Sequence, residues 1–396
     1  MSGFHDIHII SGLPITMRGP SYTCIRLAEA MAGPRVRVHV HAPCGLRFSF
    51  AAIGNDWPRI PGNTKTLRIV TEVAGSRLRR RSEKRLLDLV NRSRDRSIVY
   101  TFGEVSLDLS RALRDMGAFV VREKINIGKK RALRILAEAH APFGIYKLSG
   151  LNAAGIAKEE EEMRICDAVF SPSPMVAASL ADYDMDMRKI IPASYGWEPD
   201  RFPDRVRERR TGKPVFLFVG HICIRKGVHI LLQAWERASV AGRLVLVGSM
   251  DPIIRKTYGR ILARDDVEVI SFTKDIGAHY RRADWFIFPS LEEGGPQVTY
   301  EAGAHGLPAL VSRMGAGAFL RHDREGRIIT GSDPAVWAEA IAAAAEDRTA
   351  AERYSAAARA RAELFTWDRV GAARREALLD AVQAAGSNPT MARSLD

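Results

Sequence analysis

The stretch from Trp285 to Ser312, WFIFPSLEEGGPQVTYEAGAHGLPALVS, constrains this chain most. Trp285 to Pro289 is apolar strand material, Gly294, Gly295 and Pro296 make a turn, a short helix carries Glu301, and a second strand runs from Ala309 to Val311 after Gly306 and Pro308. In a strand, loop, helix, strand unit, the strand end and the first helical turn leave backbone N–H groups unpaired in the crevice, so anions collect there. Glu293 precedes the glycines and Glu301 lies on the helix, too far apart in role to form one acid–base pair.

The run Glu293-Gly294-Gly295-Pro296-Gln297-Val298-Thr299-Tyr300-Glu301-Ala302-Gly303-Ala304-His305-Gly306-Leu307-Pro308 resembles the nucleotide-sugar site of the retaining glycosyltransferases of family 4. The resemblance implies an α/β chain of GT-B fold, with two Rossmann-like doubly wound domains facing across a cleft. It implies a nucleotide-sugar donor, UDP- or GDP-linked, as co-substrate, and no permanently bound cofactor.

Length and composition set the outer bounds. The 396 residues suffice for two domains with sizeable cores, and 46% hydrophobic residues is the content of a globular protein. No apolar run reaches the length of a bilayer span, and Met1 to Ser11 lacks a secretion signal, so a cytoplasmic protein is expected. The four cysteines, Cys24, Cys44, Cys166 and Cys223, are scattered without a CxxC or a histidine at ligand spacing, so neither a disulfide framework nor a zinc site is expected.

The formal charge of +13 is compatible with nucleic acid, anionic lipid or phosphorylated substrates. Its densest cluster, Arg77 to Arg85, is followed by LLDLV. With Leu78, Leu86, Leu87 and Val90 on one side, it reads either as a basic amphipathic helix on an anionic membrane surface or as a solvated helix face. Arg205 to Arg210 with Lys213 reads as a soluble linker.

Taken in order, the chain opens with a strand at Ile7 to Ile10, a loop punctuated by Gly12 and Gly19, and a helix from Tyr22 to about Ala32. That loop matches neither the dinucleotide nor the P-loop pattern. In the resembling enzymes it closes over the donor, which singles out Gly19, with Arg18 and Ser21 beside it. The strand Val36 to His41 puts valines on one side and His39 and His41 on the other. Leu67 to Val73, Ser97 to Phe102 and Ala118 to Val121 read as further strands. Strands alternating with helices argue for a parallel sheet covered on both faces, with functional residues at strand C-terminal ends. Glu104, Arg122 and Lys124 occupy those ends, as site residues or as structural ion pairs. Asp182, Asp184 and Asp186 form a D-x-D-x-D run, but they follow a helix in a loop, and no metal site is expected.

After a linker from Tyr195-Gly196-Trp197 to Pro214, the unbroken apolar strand Val215 to Val219 ends at Gly220. His221-Ile222-Cys223-Ile224-Arg225-Lys226-Gly227 and a helix follow. By resemblance Lys226 holds the donor pyrophosphate, His221 stands where an arginine is usual, and Arg225 supplies the missing charge. Arginine and lysine suit that task because charge grows on the departing diphosphate. Strands Leu244 to Val247 and Val267 to Phe272 end near Gly248 and Thr273, the base and ribose pocket by resemblance. The resemblance also places Glu301 on the ribose hydroxyls and Glu293 on the donor sugar. It adds retention of configuration by front-face attack.

The expected organisation is an acceptor-binding domain over 1–195, a linker over 196–214, a nucleotide-sugar domain over 215–365 and a helical segment over 366–396 crossing back to the first domain. The catalytic candidates are Glu293, Lys226 and Arg225. The donor-binding candidates are Glu301, Gly294, Gly295, Pro296, Gln297, Val298, His221, Gly220, Gly248, Thr273 and Gly19. The acceptor is expected to be a glycan or lipid-linked glycan, with no nucleic-acid partner. The competing reading is a non-catalytic polyanion- or membrane-binding protein on a degenerate scaffold.

Overall fold

The computed structural model describes residues 5–46, 48, 50–93, 97–208 and 212–387. Met1 to Phe4, Arg209 and Arg210 of the basic linker run, and the tail beyond Ser387 lie outside the described residues. The strands are β1 (His5–Ser11), β2 (Val36–His41), β3 (Gly54–Asp56), β4 (Ile98–Phe102), β5 (Phe119–Glu123), β6 (Ala168–Ser171), β7 (Ile190–Pro192), β8 (Val215–Val219), β9 (Arg243–Val247), β10 (Val267–Ile270), β11 (Trp285–Phe288), β12 (Ala309–Ser312) and β13 (Gly326–Ile329). They form two sheets, in the orders β3-β2-β1-β4-β5-β6-β7 and β10-β9-β8-β11-β12-β13. Neighbouring strands pair parallel throughout the described residues.

Burial explains the strand sequences. Every residue of β4, β5, β8 and β11 is buried; the apolar runs of β8 and β11 permit this directly, while in β5 Arg122 and Glu123 are buried with ion-pair partners. In β1 and β2, Ile7, Ile9, Val36, Val38 and Val40 join the main core, while Ile10 packs with Leu86 and Val90 on the opposite face. His8, His39 and His41 share that second face: His8 stacks on His39, and His41 bonds both His8 (3.3 Å) and Asp56 (3.3 Å).

Two local expectations are corrected. Leu67 to Val73 is not a strand but part of the helix Thr64–Arg92. The Asn63 side chain accepts from the N–H groups of Lys65 and Thr66, and this cap, with the helix-forming residues that follow, outweighs the β-branched run. Conversely, β3 has no apolar run to announce it. In the same helix Leu86 and Val90 are buried and Leu87 packs against the second core cluster, so three of the four apolar residues expected to face a membrane, Leu78 being the fourth, pack inside the protein. Ile69 and Val73, nearer its start, are exposed.

The chain passes between the sheets twice, and the two passages are tied together. Trp197 donates through Nε1 to the Ala362 carbonyl (2.8 Å) and through its backbone to Phe365 (3.0 Å), and Trp367 donates back to the Trp197 carbonyl (3.2 Å). Truncating so fully buried a tryptophan would cost about 3–5 kcal/mol. From there the helix Trp367–Ser387 returns to lie on the helix Pro20–Met31. A Cβ on Gly371 would stand 2.2 Å from that of Ala30, so only glycine allows this approach.

Candidate functional site

The carboxyl ends of the two sheets face each other, and between them lies a cavity of about 240 Å³. Gly19, Gly220, Lys226, Glu293, Gly294, Gly295, Pro296, Gln297 and Val298 all line it. Thr23, Ile125, Asn126 and Tyr195 complete the wall from the first-domain side. The contact is tight: a Cβ on Gly294 would lie 1.5 Å from the Ile125 carbonyl oxygen, and Gln297 donates to Thr23 Oγ1 at 2.6 Å.

Two helix N-termini open onto this cavity. The helices Pro20–Met31 and Gln297–Ala304 begin at Gly19 and Pro296, and neither has a side-chain cap. Their first N–H groups therefore present partial positive charge to whatever occupies the space. Lys226 adds a full charge. It sits in the turn Ile224–Lys226 after β8, which Gly227 ends at φ 68°, where a Cβ would come 2.0 Å from the Pro289 carbonyl oxygen. A side chain at residue 227 would push Lys226 out of place.

The acidic residues are held by specific partners. Glu293 pairs with Lys226 and accepts from Ser290 Oγ at 2.7 Å. Glu292, its neighbour, accepts from Arg225 Nη1 (3.1 Å) and Asn126 Nδ2 (3.4 Å). Burial raises the Glu292 pKa, with Arg225 opposing. Burial works against the Arg225 charge, but Glu293 and Glu292 outweigh it and its pKa rises. Arg225 is thus turned toward Glu292 and does not line the cavity.

Glu301 is also set back from the cavity. It is buried, accepts from Arg201 Nη1 (2.9 Å) and Tyr280 Oη (3.0 Å), and burial raises its pKa against the pull of Arg201. Gly248 does not line the cavity; it packs on Gly220, where a Cβ would be 1.9 Å from the Gly220 oxygen. Thr273 accepts from the Asp275 N–H at 3.1 Å. His221 turns to Ser249 Oγ (2.8 Å) and Asp251 (2.7 Å), and its ligand atoms lie within 4.8 Å of those of Cys223 and Asp251.

Several first-domain candidates prove structural. Ser21 Oγ donates to the Arg18 carbonyl and accepts from the Thr16 N–H. Lys124 pairs with Glu159 (2.7 Å), Arg122 with Glu162 (2.7 Å) and Glu104 with Lys129 (3.0 Å). The glutamate-rich helix Ala153–Ile165 thus supplies Glu159 and Glu162 as partners for Lys124 and Arg122 at the end of β5. Asp182 pairs with Arg131 and Asp186 with Arg188. Thr23 and Arg201 carry no signal in the sequence, whereas Asn126 belongs to the segment Arg122 to Asn126 that the strand-end rule picks out. A larger cavity of about 690 Å³ between the domains is lined by none of the expected site residues.

Residues 213–347 match the family model described as glycosyl transferases, group 1. That stretch falls within the second sheet and its helices. The chain is similar to the D-inositol 3-phosphate glycosyltransferase of Xylanimonas cellulosilytica, 27% identical over 242 residues that make up 54% of this chain and 57% of that one. It is likewise similar to that of Streptomyces scabiei, 29% identical over 256 residues, 57% of this chain and 56% of the other. The chain thus spans little more than half the length of these relatives. Across 96% of this chain and 100% of the other, it superposes on sucrose-phosphate synthase from Thermosynechococcus elongatus, with a TM-score of 0.73 at 17% identity. It also superposes on Anabaena HepE in complex with UDP and glucose, with a TM-score of 0.66 at 14% identity, covering 95% and 100%. The fold is GT-B.

Proposed function

We propose that this chain transfers a sugar from a nucleoside-diphosphate sugar, of the UDP class, to a hydroxyl on a glycan or lipid-linked glycan. The observation that carries the reading is the convergence, in one cavity between the domains, of the Lys226–Glu293 pair, the Gly294–Gly295 loop and two uncapped helix N-termini. UDP enters because HepE is similar in fold and was solved with it.

Cleavage of the sugar–phosphate bond develops positive charge at the anomeric carbon and leaves a diphosphate anion. Lys226 and the N–H groups of the Gly294 to Val298 segment are set where that anion would lie, and fixed dipoles of this kind lower the barrier without reorganising. Glu293, oriented by Ser290, takes hydrogen bonds from donor-sugar hydroxyls. Glu301 takes them from the ribose, and Arg225 supports the diphosphate once it leaves Glu292. The acceptor enters from the first domain, beside Asn126, attacks the face the diphosphate leaves and gives its hydroxyl proton to the departing phosphate oxygen, so configuration is retained. The exposed Arg77, Arg79, Arg80 and Arg81 beside Ile69 and Val73 favour peripheral contact with an anionic membrane carrying that acceptor.

A thermal-shift panel of UDP, GDP, ADP and their sugars, with and without EDTA, tests the donor. One nucleotide class is expected to raise the melting point whether or not metal is present. Anomeric proton spectroscopy of the product then tests retention, and a β-linked product from an α-linked donor refutes it. Stabilisation by polyanions or anionic vesicles alone, without any nucleotide effect, would instead favour the non-catalytic reading.

A further inference from the structure

The loops after β8 and β9 are locked together. Ile222 donates to the Ser249 carbonyl (2.7 Å), Asp251 donates to the Ile222 carbonyl (3.0 Å), and Ile222 bridges to Met250. This clasp brings three different donor types, from His221, Cys223 and Asp251, within 4.8 Å of one another. We propose that His221, Cys223 and Asp251 form a binding site for a zinc-class divalent cation, separate from the nucleotide cavity.

The donor set argues for the ion. Imidazole nitrogen, thiolate sulfur and carboxylate oxygen together suit zinc, whereas magnesium and calcium take oxygen ligands. The arrangement argues for a site rather than an accident of the surface. Ser249 Oγ engages His221 Nδ1, which turns Nε2 toward Asp251, as an outer-shell partner does for a ligating histidine. Cys223 is buried at the base, while His221 and Asp251 have side-chain exposures of 43% and 42%, so an ion can enter from solvent and keep a water as its fourth ligand.

The proton balance follows. The ion takes Cys223 as a thiolate, so the thiol proton passes to solvent when it binds. Binding therefore releases protons and tightens as pH rises. Once bound, the ion fastens the loop bearing Arg225 and Lys226 to the loop after β9. The inference does not depend on the transferase reading.

Cobalt(II) is the probe, titrated into the chelator-stripped full chain. We expect saturation at one equivalent, a thiolate-to-cobalt charge-transfer band in the near ultraviolet, and loss of that band when zinc is added. Cys223→Ser should remove the band, His221→Ala and Asp251→Ala should each weaken cobalt binding by about ten-fold or more, and Cys166→Ser should change nothing. The two substitutions at exposed side chains carry the test if Cys223→Ser does not fold. The site is refuted if stoichiometric cobalt gives no charge-transfer band, if the band survives Cys223→Ser, or if His221→Ala and Asp251→Ala bind cobalt as wild type does.

Discussion

Lys226 and Glu293 form an ion pair at the mouth of the second sheet, with side-chain exposures of only 13% and 8%. The pair is preorganised by Ser290 on one side and by the turn before Gly227 on the other. Lys226→Ala should lower kcat/KM by about 10²–10³, the range for removing one group that stabilises developing negative charge. Steady-state release of nucleoside diphosphate measures it, and undiminished turnover would refute the assigned role.

Glu301 offers a more selective test, because it lies behind the cavity wall. Glu301→Gln keeps the shape and the bond from Tyr280 but removes the charge that Arg201 pairs with and that the proposed ribose contact requires. Losing a charged hydrogen bond should weaken nucleotide binding by about 1.5–3 kcal/mol, while the melting point without ligand holds or rises, since burial disfavours this carboxylate. Calorimetry with UDP on wild type, Glu301→Gln and Arg201→Ala separates ribose binding from scaffold loss.

The returning helix is locked by a different pair. Arg374 Nη1 lies 2.8 Å from Glu123 Oε2, at side-chain exposures of 2% and 0%, and Arg374 also donates to Tyr100 Oη and the Ser194 carbonyl. Arg374→Met should destabilise the chain by about 3–5 kcal/mol, because Glu123 is left as a buried, unpaired charge. Adding Glu123→Gln should recover part of that loss. Urea unfolding of both single variants and the double variant checks this, and strict additivity would contradict the coupling.

Acid should destabilise the fold through histidines as well as carboxylates. Burial lowers the pKa values of His8, His229 and His305 to about 4, with His41 and His39 adding to the effect at His8 and His140 at His229. The folded state then stays neutral where the unfolded chain takes up protons. Stability is fully present above the ordinary histidine value and is lost as pH falls from 6.5 toward 4, by up to about 3 kcal/mol for each group. Glu292 and Glu301, whose pKa values are raised by burial, oppose this in the same window. Unfolding at a series of pH values should show net proton uptake, and His8→Gln should reduce it.

Much of the fold was legible because parallel strands buried on both faces must be written as apolar runs. β8 VFLFV and β11 WFIF are readable for that reason alone, the alternation of strands with helices pointed to a parallel sheet covered on both faces, and the pair of doubly wound domains came from the resemblance. Leu67 to Val73 misled because a cap from Asn63 and the length of the following helix decide its state, not its own β-branched residues. β3 was illegible because an edge strand of three residues buries too little to require an apolar signature.

The sequence by itself determined the long buried strands, the glycine turns and the Glu293 to Pro308 signature, which are written in residue types within a few positions of one another. Only the tertiary structure decided which charges meet. Lys226 finds Glu293, Arg225 turns to Glu292, Arg201 reaches Glu301, Asn126 arrives from the other domain, and His221 and Cys223 meet Asp251. Sheet order and domain docking make those pairings, and neither leaves a period in the chain. An exposed-looking arginine such as Arg374 proves to be a buried latch for the same reason: its partner Glu123 lies on β5, and only the returning helix brings the two together.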